Sequence, residues 1–343
     1  MRKFNTAILG ATGAVGQEFL NLIAERNFPF QNLKLLASER SAGKKIEFLG
    51  QTYTVEAATP DSFNGVEIAL FAGGAASKTF APEAVKRGAV VIDNSSAFRM
   101  DPTVPLVVPE VNPEALKDHK GIIANPNCST IIMVMALKPL HDAVKIKRVV
   151  VSTYQAVSGA GKEAIDELND QVQAVAANRP AEARILPSAS QPKHYQIAFN
   201  LLPQVDVFLE DGYSKEELKM VQETQKILSD PDIAVTATTV RVPVFRSHSE
   251  SVNLELAGPL SAAAAKKLLA AFPGVIVEDD PSQQAYPMPL YTSGRDEVFV
   301  GRIREDHTVA HGLNLWVVGD QIRKGAALNA LQIAEYMIEH KLI

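Results

Sequence analysis

Between residues 4 and 23 the chain passes from a short β-rich run, through a glycine turn, into a helical pattern. The turn is Gly10-Ala11-Thr12-Gly13-Ala14-Val15-Gly16, and Gln17-Glu18-Phe19-Leu20-Asn21-Leu22-Ile23 follows with apolar residues at helical spacing. Three glycines alone say little. Set between a strand and a helix, they permit a tight turn and bring backbone amides at a helix start close to a pyrophosphate. Further β-rich runs at 33–36, 67–71, 90–92 and 122–124 alternate with helical patterns. That alternation predicts an α/β fold, a Rossmann-type doubly wound parallel sheet.

From 129 to 320 the pattern is less regular and predicts a second, α+β domain, with strands at 149–153, 235–244, 251–256 and 310–318. Ser214 and Glu217 have the spacing of a capping box at a helix start, and the Ala-, Lys- and Leu-rich stretch after Pro259 reads as a packing helix. The helical spacing of 325–341 predicts a return to cover the first domain, so the expected division is 1–128 with 321–343, against 129–320.

With 46% hydrophobic and 21% charged residues, 343 residues supply ample core for two domains. A single cysteine excludes an internal disulfide and points to a reducing compartment. The N-terminus runs straight into a strand pattern without a secretion signal, and nothing approaches the roughly 20 apolar residues of a membrane span. The expectation is a cytoplasmic protein. A net charge of −5 without a basic run leaves no footprint for nucleic acid and favours a small-molecule substrate.

That one cysteine, Cys128, lies in Asn125-Pro126-Asn127-Cys128-Ser129-Thr130, directly before a long apolar run. Pro126 interrupts any earlier helix, so the sulfur is expected at a helix N-terminus, where unpaired amides favour a thiolate. Elsewhere a lone cysteine is most often packing; here it reads as a nucleophile. His248 sits among hydroxyls in Arg246-Ser247-His248-Ser249, after Pro243 breaks a strand, as a proton-transfer residue would. In the loop after the second strand, Ser38, Arg40 and Ser41 suit a 2′-phosphate, against Glu39, which suits ribose hydroxyls. Ser158-Gly159-Ala160-Gly161-Lys162-Glu163 fails as a P-loop, because Ala156 and Glu163 replace its first glycine and final hydroxyl. His307 and His311 fall in a stretch that reads as extended with no cysteine nearby, so no metal site is expected.

Together with Ser95-Ser96-Ala97-Phe98-Arg99, the Gln155 loop and the segment from Arg241 to His248, these motifs closely resemble aspartate-β-semialdehyde dehydrogenase, in order and over essentially the whole chain. The resemblance implies NADPH-dependent reductive dephosphorylation of β-aspartyl phosphate, a step feeding lysine, diaminopimelate, threonine, methionine and isoleucine synthesis. It assigns Cys128 as nucleophile, His248 as acid/base and Gln155 as the residue orienting substrate. Arg241 would grip the α-carboxylate and Glu216 the α-ammonium, while Arg99, Asn127 and Lys219 would hold phosphate. NADP contacts would fall on Gly10, Thr12, Gly13, Ala14, Val15, Ser38, Arg40, Ser41, Gly73, Ser158, Gly159 and Gln321; many relatives carry Asn at the last position. A homodimer or homotetramer is implied.

Three alternatives stand beside this reading. N-acetyl-γ-glutamyl-phosphate reductase uses the same chemistry, but its nucleophile motif usually reads Asn-Pro-Gly-Cys-Tyr, unlike Asn127 and Ser129. A catalytically silent NADP-binding sensor would keep the fold without the chemistry. A cysteine hydrolase would leave the glycine turn unexplained.

Overall fold

The N-terminal β-rich run becomes the centre of a parallel sheet. In the computed structural model, which describes residues 2–343, the first unit runs β1 (Phe4–Leu9), α1 (Ala14–Glu25), β2 (Phe30–Ala37), β3 (Lys45–Phe48), β4 (Gln51–Thr54), β5 (Glu56–Ala57), β6 (Ile68–Phe71), α2 (Ala76–Lys86), β7 (Val90–Asp93) and β8 (Ile122–Ala124). The sheet order is β5-β2-β1-β6-β7-β8, with every neighbouring pair parallel. Strand order grows outward from β1 on both sides, so the switch point lies between β1 and β6, where such sheets bind ligands. All four residues of β6 are buried, which explains its continuous apolar run. One apolar cluster gathers Phe19, Leu22 and Ile23 of α1, and another gathers Ala81 and Ala84 of α2 with Phe63 and Phe71. The β3–β4 hairpin is an addition to the expected elements.

The second unit comprises α3 (Cys128–Val144), β9 (Ile146–Gln155), α4 (Lys162–Ala176), α5 (Lys215–Ile227), β10 (Ala234–Arg241), β11 (His248–Leu256), α6 (Ala262–Ala271), β12 (Val275–Val277), α7 (Pro289–Thr292), β13 (Val298–Asp306) and β14 (Gly312–Gly319). Its sheet is mixed, in the order β10-β9-β11-β14-β13-β12. Register decides which residues share a face: Thr153 lies opposite Glu250, and Arg241 opposite Gln155. With a period of two, Gln155, Thr153, Arg241, Thr239, His248 and Glu250 therefore all point to one side. That side is buried, and α3 packs on it, with Ile132 against Gly319. Ser251, Thr238 and Tyr154 on the other side are exposed.

The chain then enters α8 (Leu328–Glu339), whose Leu328, Leu331 and Ile333 pack into the α1 cluster of the first unit. Contacts divide the chain into 1–127 with 325–343 and 128–324, one residue before and four residues after the expected limits. Residues 321–324 stay with the second unit because Gln321 bonds Ser247 and Ser158, and Arg323 bonds Asp296. Strand β10 stops at Arg241, short of the expected 244, because Pro243 has no amide to donate. Strand β14 begins at Gly312, so His307 and His311 belong to the turn after β13, a strand the alternation did not reveal. Among the described residues no helix is long and apolar enough to cross a membrane.

Candidate active site

Cys128 is the first residue of α3, as the Pro126 break predicts, and its Sγ lies 3.5 Å from His248 Nε2. The other ring nitrogen, Nδ1, accepts the Ala156 amide at 3.0 Å. An acceptor carries no proton, so the neutral ring bears its hydrogen on Nε2 and presents a donor to the sulfur. Burial, joined by the nearby Arg241 charge, pushes the His248 pKa down to about 3, with Glu216 opposing. The imidazole is thus a neutral hydrogen-bond donor at the nucleophile. That geometry suits stabilising a thiolate and an oxyanion better than taking a proton from a thiol.

Two residues along β11, Glu250 is wholly buried, with neither carboxyl oxygen hydrogen-bonded. Burial raises its pKa well above the ordinary value, which disfavours a second charge beside His248.

Arg241 ends β10 on the same face and is buried. One Nη1 donates to the Ala156 carbonyl at 2.8 Å, whereas Nε is buried without an acceptor. Burial lowers its pKa, with the Glu216 and Cys128 charges opposing. A buried guanidinium with unused donors fits an incoming carboxylate. A Cβ at Gly159 would stand 3.0 Å from Arg241 Nη1 and 3.3 Å from His248 Cε1, so a larger residue there would press both side chains aside by a few tenths of an ångström.

The capping box fixes the start of α5. Ser214 Oγ accepts the Glu217 amide at 3.2 Å, the Glu217 carboxylate accepts the Ser214 amide at 2.7 Å, and it also accepts the Thr239 amide of β10 at 2.9 Å. Glu216 is thereby held against β9, where its Oε1 accepts from Gln155 Nε2 at 3.1 Å. Lys219, one turn on, donates to Glu216 at 3.1 Å and to Asp206 at 2.9 Å. Burial works against its charge, but the two carboxylates outweigh it and its pKa is raised. Glu216 and Lys219 are therefore joined in a three-membered cluster with Asp206, a residue the sequence did not single out.

Gln321 is occupied at both ends of its amide. It donates to Ser158 Oγ and accepts the Ser247 amide at 2.7 Å, tying the residue before the histidine to Ser158. One N–H and one carbonyl lone pair of the Gln321 amide are used by this brace, which leaves a second N–H and a second lone pair for the expected cofactor contact. Ser158 is buried beside it.

In the first unit, Gly13 caps α1 with no side-chain bond, and no acidic residue occupies the first turn. The first-turn amides have no acceptor within the helix, so a phosphate can accept from them. A Cβ at Gly16 would fall 2.2 Å from the Gly10 carbonyl oxygen, so the turn closes only with glycine there. Thr12 Oγ1 lies 3.4 Å from Ser41 Oγ, which joins the glycine turn to the loop of Ser38, Glu39 and Arg40. These last three are exposed. Ala14 and Val15 open α1, and Gly73 follows β6 across the switch point. Arg99 is buried, with Nε on the Asn125 carbonyl at 2.9 Å and Nη2 on the Asn94 carbonyl at 2.8 Å. Asn125 also bonds Asn94 at 2.8 Å and Asn329 at 2.7 Å, so three asparagines brace the segment that ends at the buried Asn127.

A family model described as "Semialdehyde dehydrogenase, NAD binding domain" matches residues 5–119, and one described as "Semialdehyde dehydrogenase, dimerisation domain" matches 137–324. The aspartate-semialdehyde dehydrogenase of Aquifex aeolicus is 58% identical over 99% of both chains. That of Bacillus subtilis is 55% identical, covering 100% of this chain and 99% of its own. Among solved structures, aspartate semialdehyde dehydrogenase II of Vibrio cholerae complexed with ASA matches with a TM-score of 0.93 and 49% identity over 99% of both chains.

Proposed function

The chain belongs to the aspartate-semialdehyde dehydrogenase family, and from that premise we propose that it reduces β-aspartyl phosphate to aspartate-β-semialdehyde and phosphate with NADPH, through a thioester on Cys128. One observation carries the substrate reading: Arg241, a buried guanidinium with an unused Nε, stands on the sheet face that holds His248 and Gln155. A site built in this way calls for a carboxylate in addition to the reacting group. Glu216 supplies the opposite charge for an α-ammonium.

The Cys128 thiolate attacks the acyl carbon and expels phosphate, leaving a thioester. His248 Nε2–H stabilises first the thiolate and then the developing oxyanion. Arg99, Asn127 and Lys219 are the residues proposed to hold the phosphate. The open α1 N-terminus and the glycine packing around Gly10 fit a dinucleotide pyrophosphate, and the family's first domain is an NAD-binding one. When bound, the nicotinamide supplies the hydride that reduces the thioester. Gly10, Thr12, Gly13, Ala14 and Val15 would cradle the pyrophosphate, with Gly73, Ser158 and Gly159 as further cofactor positions. Ser38, Arg40 and Ser41 make NADP the cofactor proposed, the matched dimerisation domain supports a homodimer, and the cytoplasm is its proposed location.

Arg40 tests the choice between NADP and NAD. Removing a charge-assisted bond to the 2′-phosphate costs about 1.5–3 kcal/mol, so Arg40→Ala should weaken NADPH by roughly one to two decades and leave NADH unchanged, by fluorescence titration. Equal losses would make the loop structural. The function itself is tested by NADP- and phosphate-dependent oxidation of aspartate semialdehyde beside N-acetylglutamate semialdehyde. The first should be the better substrate; preference for the second would move the assignment to the glutamyl-phosphate reductase.

A further inference from the structure

Next to the nucleophile, Ser129 is wholly buried on the first turn of α3, and its hydroxyl oxygen accepts a hydrogen bond from Gln155 Nε2 at 2.8 Å. The same nitrogen donates its other hydrogen to Glu216 Oε1 at 3.1 Å. A carboxylate beside Arg241 and Lys219 is an acceptor, so the amide end of Gln155 must be the one that faces it. Both donors of the carboxamide are then used, and its orientation is set. What remains is Oε1, which is buried with no hydrogen-bond partner. Gln155 as a whole is only 1% exposed. A buried carbonyl without a donor is a costly arrangement unless a ligand supplies one.

We propose that Ser129 is a positioning residue that, with Glu216, locks the Gln155 carboxamide so that its carbonyl oxygen receives the ammonium group of the substrate. The carboxamide touches Glu216 directly, so its carbonyl stands close to the same negative charge, and two acceptors so placed select a cationic donor. Serine is the economical choice at this position, because its hydroxyl accepts one N–H without filling the space beside Cys128. Alanine would leave that N–H unpaired and Gln155 held at one point only. Rotation about its terminal torsion, which is broad, would then move the carbonyl off its target. The role rests on the substrate reading above and makes Ser129 a determinant of selectivity for an α-amino aldehyde.

The experiment compares Ser129→Ala with the native enzyme on aspartate semialdehyde and on succinate semialdehyde, which lacks only the ammonium group. On the amino substrate kcat/KM should fall at least about tenfold, mainly through KM, whereas on the des-amino aldehyde it should stay within about twofold. In a Gln155→Met background the alanine should cost nothing further, since Ser129 acts through that amide. Alkylation of Cys128 by iodoacetamide should keep its native rate. Equal losses on both aldehydes, additive losses in the double variant, a silent Ser129→Ala or a changed alkylation rate would each overturn the role. A native enzyme inactive on aspartate semialdehyde would instead refute the substrate reading, so the two failures are distinguishable.

Discussion

Replacing Cys128 with alanine should lower turnover of aspartate semialdehyde by at least about four orders of magnitude, since it removes the thiol proposed to carry the acyl group. It is the only cysteine in the chain. His248, the residue hydrogen-bonded to it, presents a proton on the nitrogen facing the sulfur and cannot substitute as a nucleophile. Binding of the dinucleotide should be unchanged, because the α1 N-terminus and the glycine turn belong to the first unit. Steady-state kinetics and fluorescence titration of the same preparation separate the two effects. An alanine variant that retains even a hundredth of native turnover would exclude covalent catalysis at this position, and one that also loses the dinucleotide would show that the substitution disturbs more than chemistry.

The next largest effect is expected at Arg241. Its guanidinium is buried and its Nε has no acceptor, so Arg241→Leu removes the only buried cation on the His248 face of β9, β10 and β11 among the described residues. Hydrogen bonds to charged groups are worth about 1.5–3 kcal/mol each, and a two-pronged grip on a carboxylate is stronger than one bond. Arg241→Leu should therefore lower kcat/KM for aspartate semialdehyde by roughly two decades, and Glu216→Gln by at least about tenfold. The smaller loss at Glu216 follows from its geometry: Gln can still accept from Gln155, and Lys219 retains Asp206 as a partner. The native enzyme should reject the N-acetylated five-carbon aldehyde, which would leave Glu216 without its cation. If both substitutions are silent, the two charges do not contact the substrate.

Where chemistry sits on a local motif, it was legible in the sequence. Pro126 and the apolar run after Ser129 placed Cys128 at a helix start, and Cys128 begins α3. The strand–glycine–helix succession marked the β1–α1 turn, and Ser214 with Glu217 marked the start of α5. What remained hidden depends on strands meeting across long separations. Ala156 holds both His248 and Arg241 through its backbone amide and carbonyl, so its side chain carries no signal at all. Asp206 pairs with Lys219 from a loop without periodicity, and Ser129 becomes informative only once Gln155 is seen beside it. Asn94, Asn125 and Asn329 form one bonded group from three distant segments. At Gln321 the position suggested a ligand contact but gave no sign of the brace from its amide to Ser158 and Ser247. The tautomer of His248 was equally out of reach, since it follows from a single amide 92 positions away in the chain.

The thioester can be caught directly. Native enzyme mixed with β-aspartyl phosphate in the absence of NADPH should gain the mass of one aspartyl group, and peptide mapping should place it on Cys128. Hydroxylamine should remove it, and the alanine variant should never acquire it. An enzyme that turns over aspartate semialdehyde yet stays unmodified under these conditions, or carries the acyl group elsewhere, would contradict the mechanism.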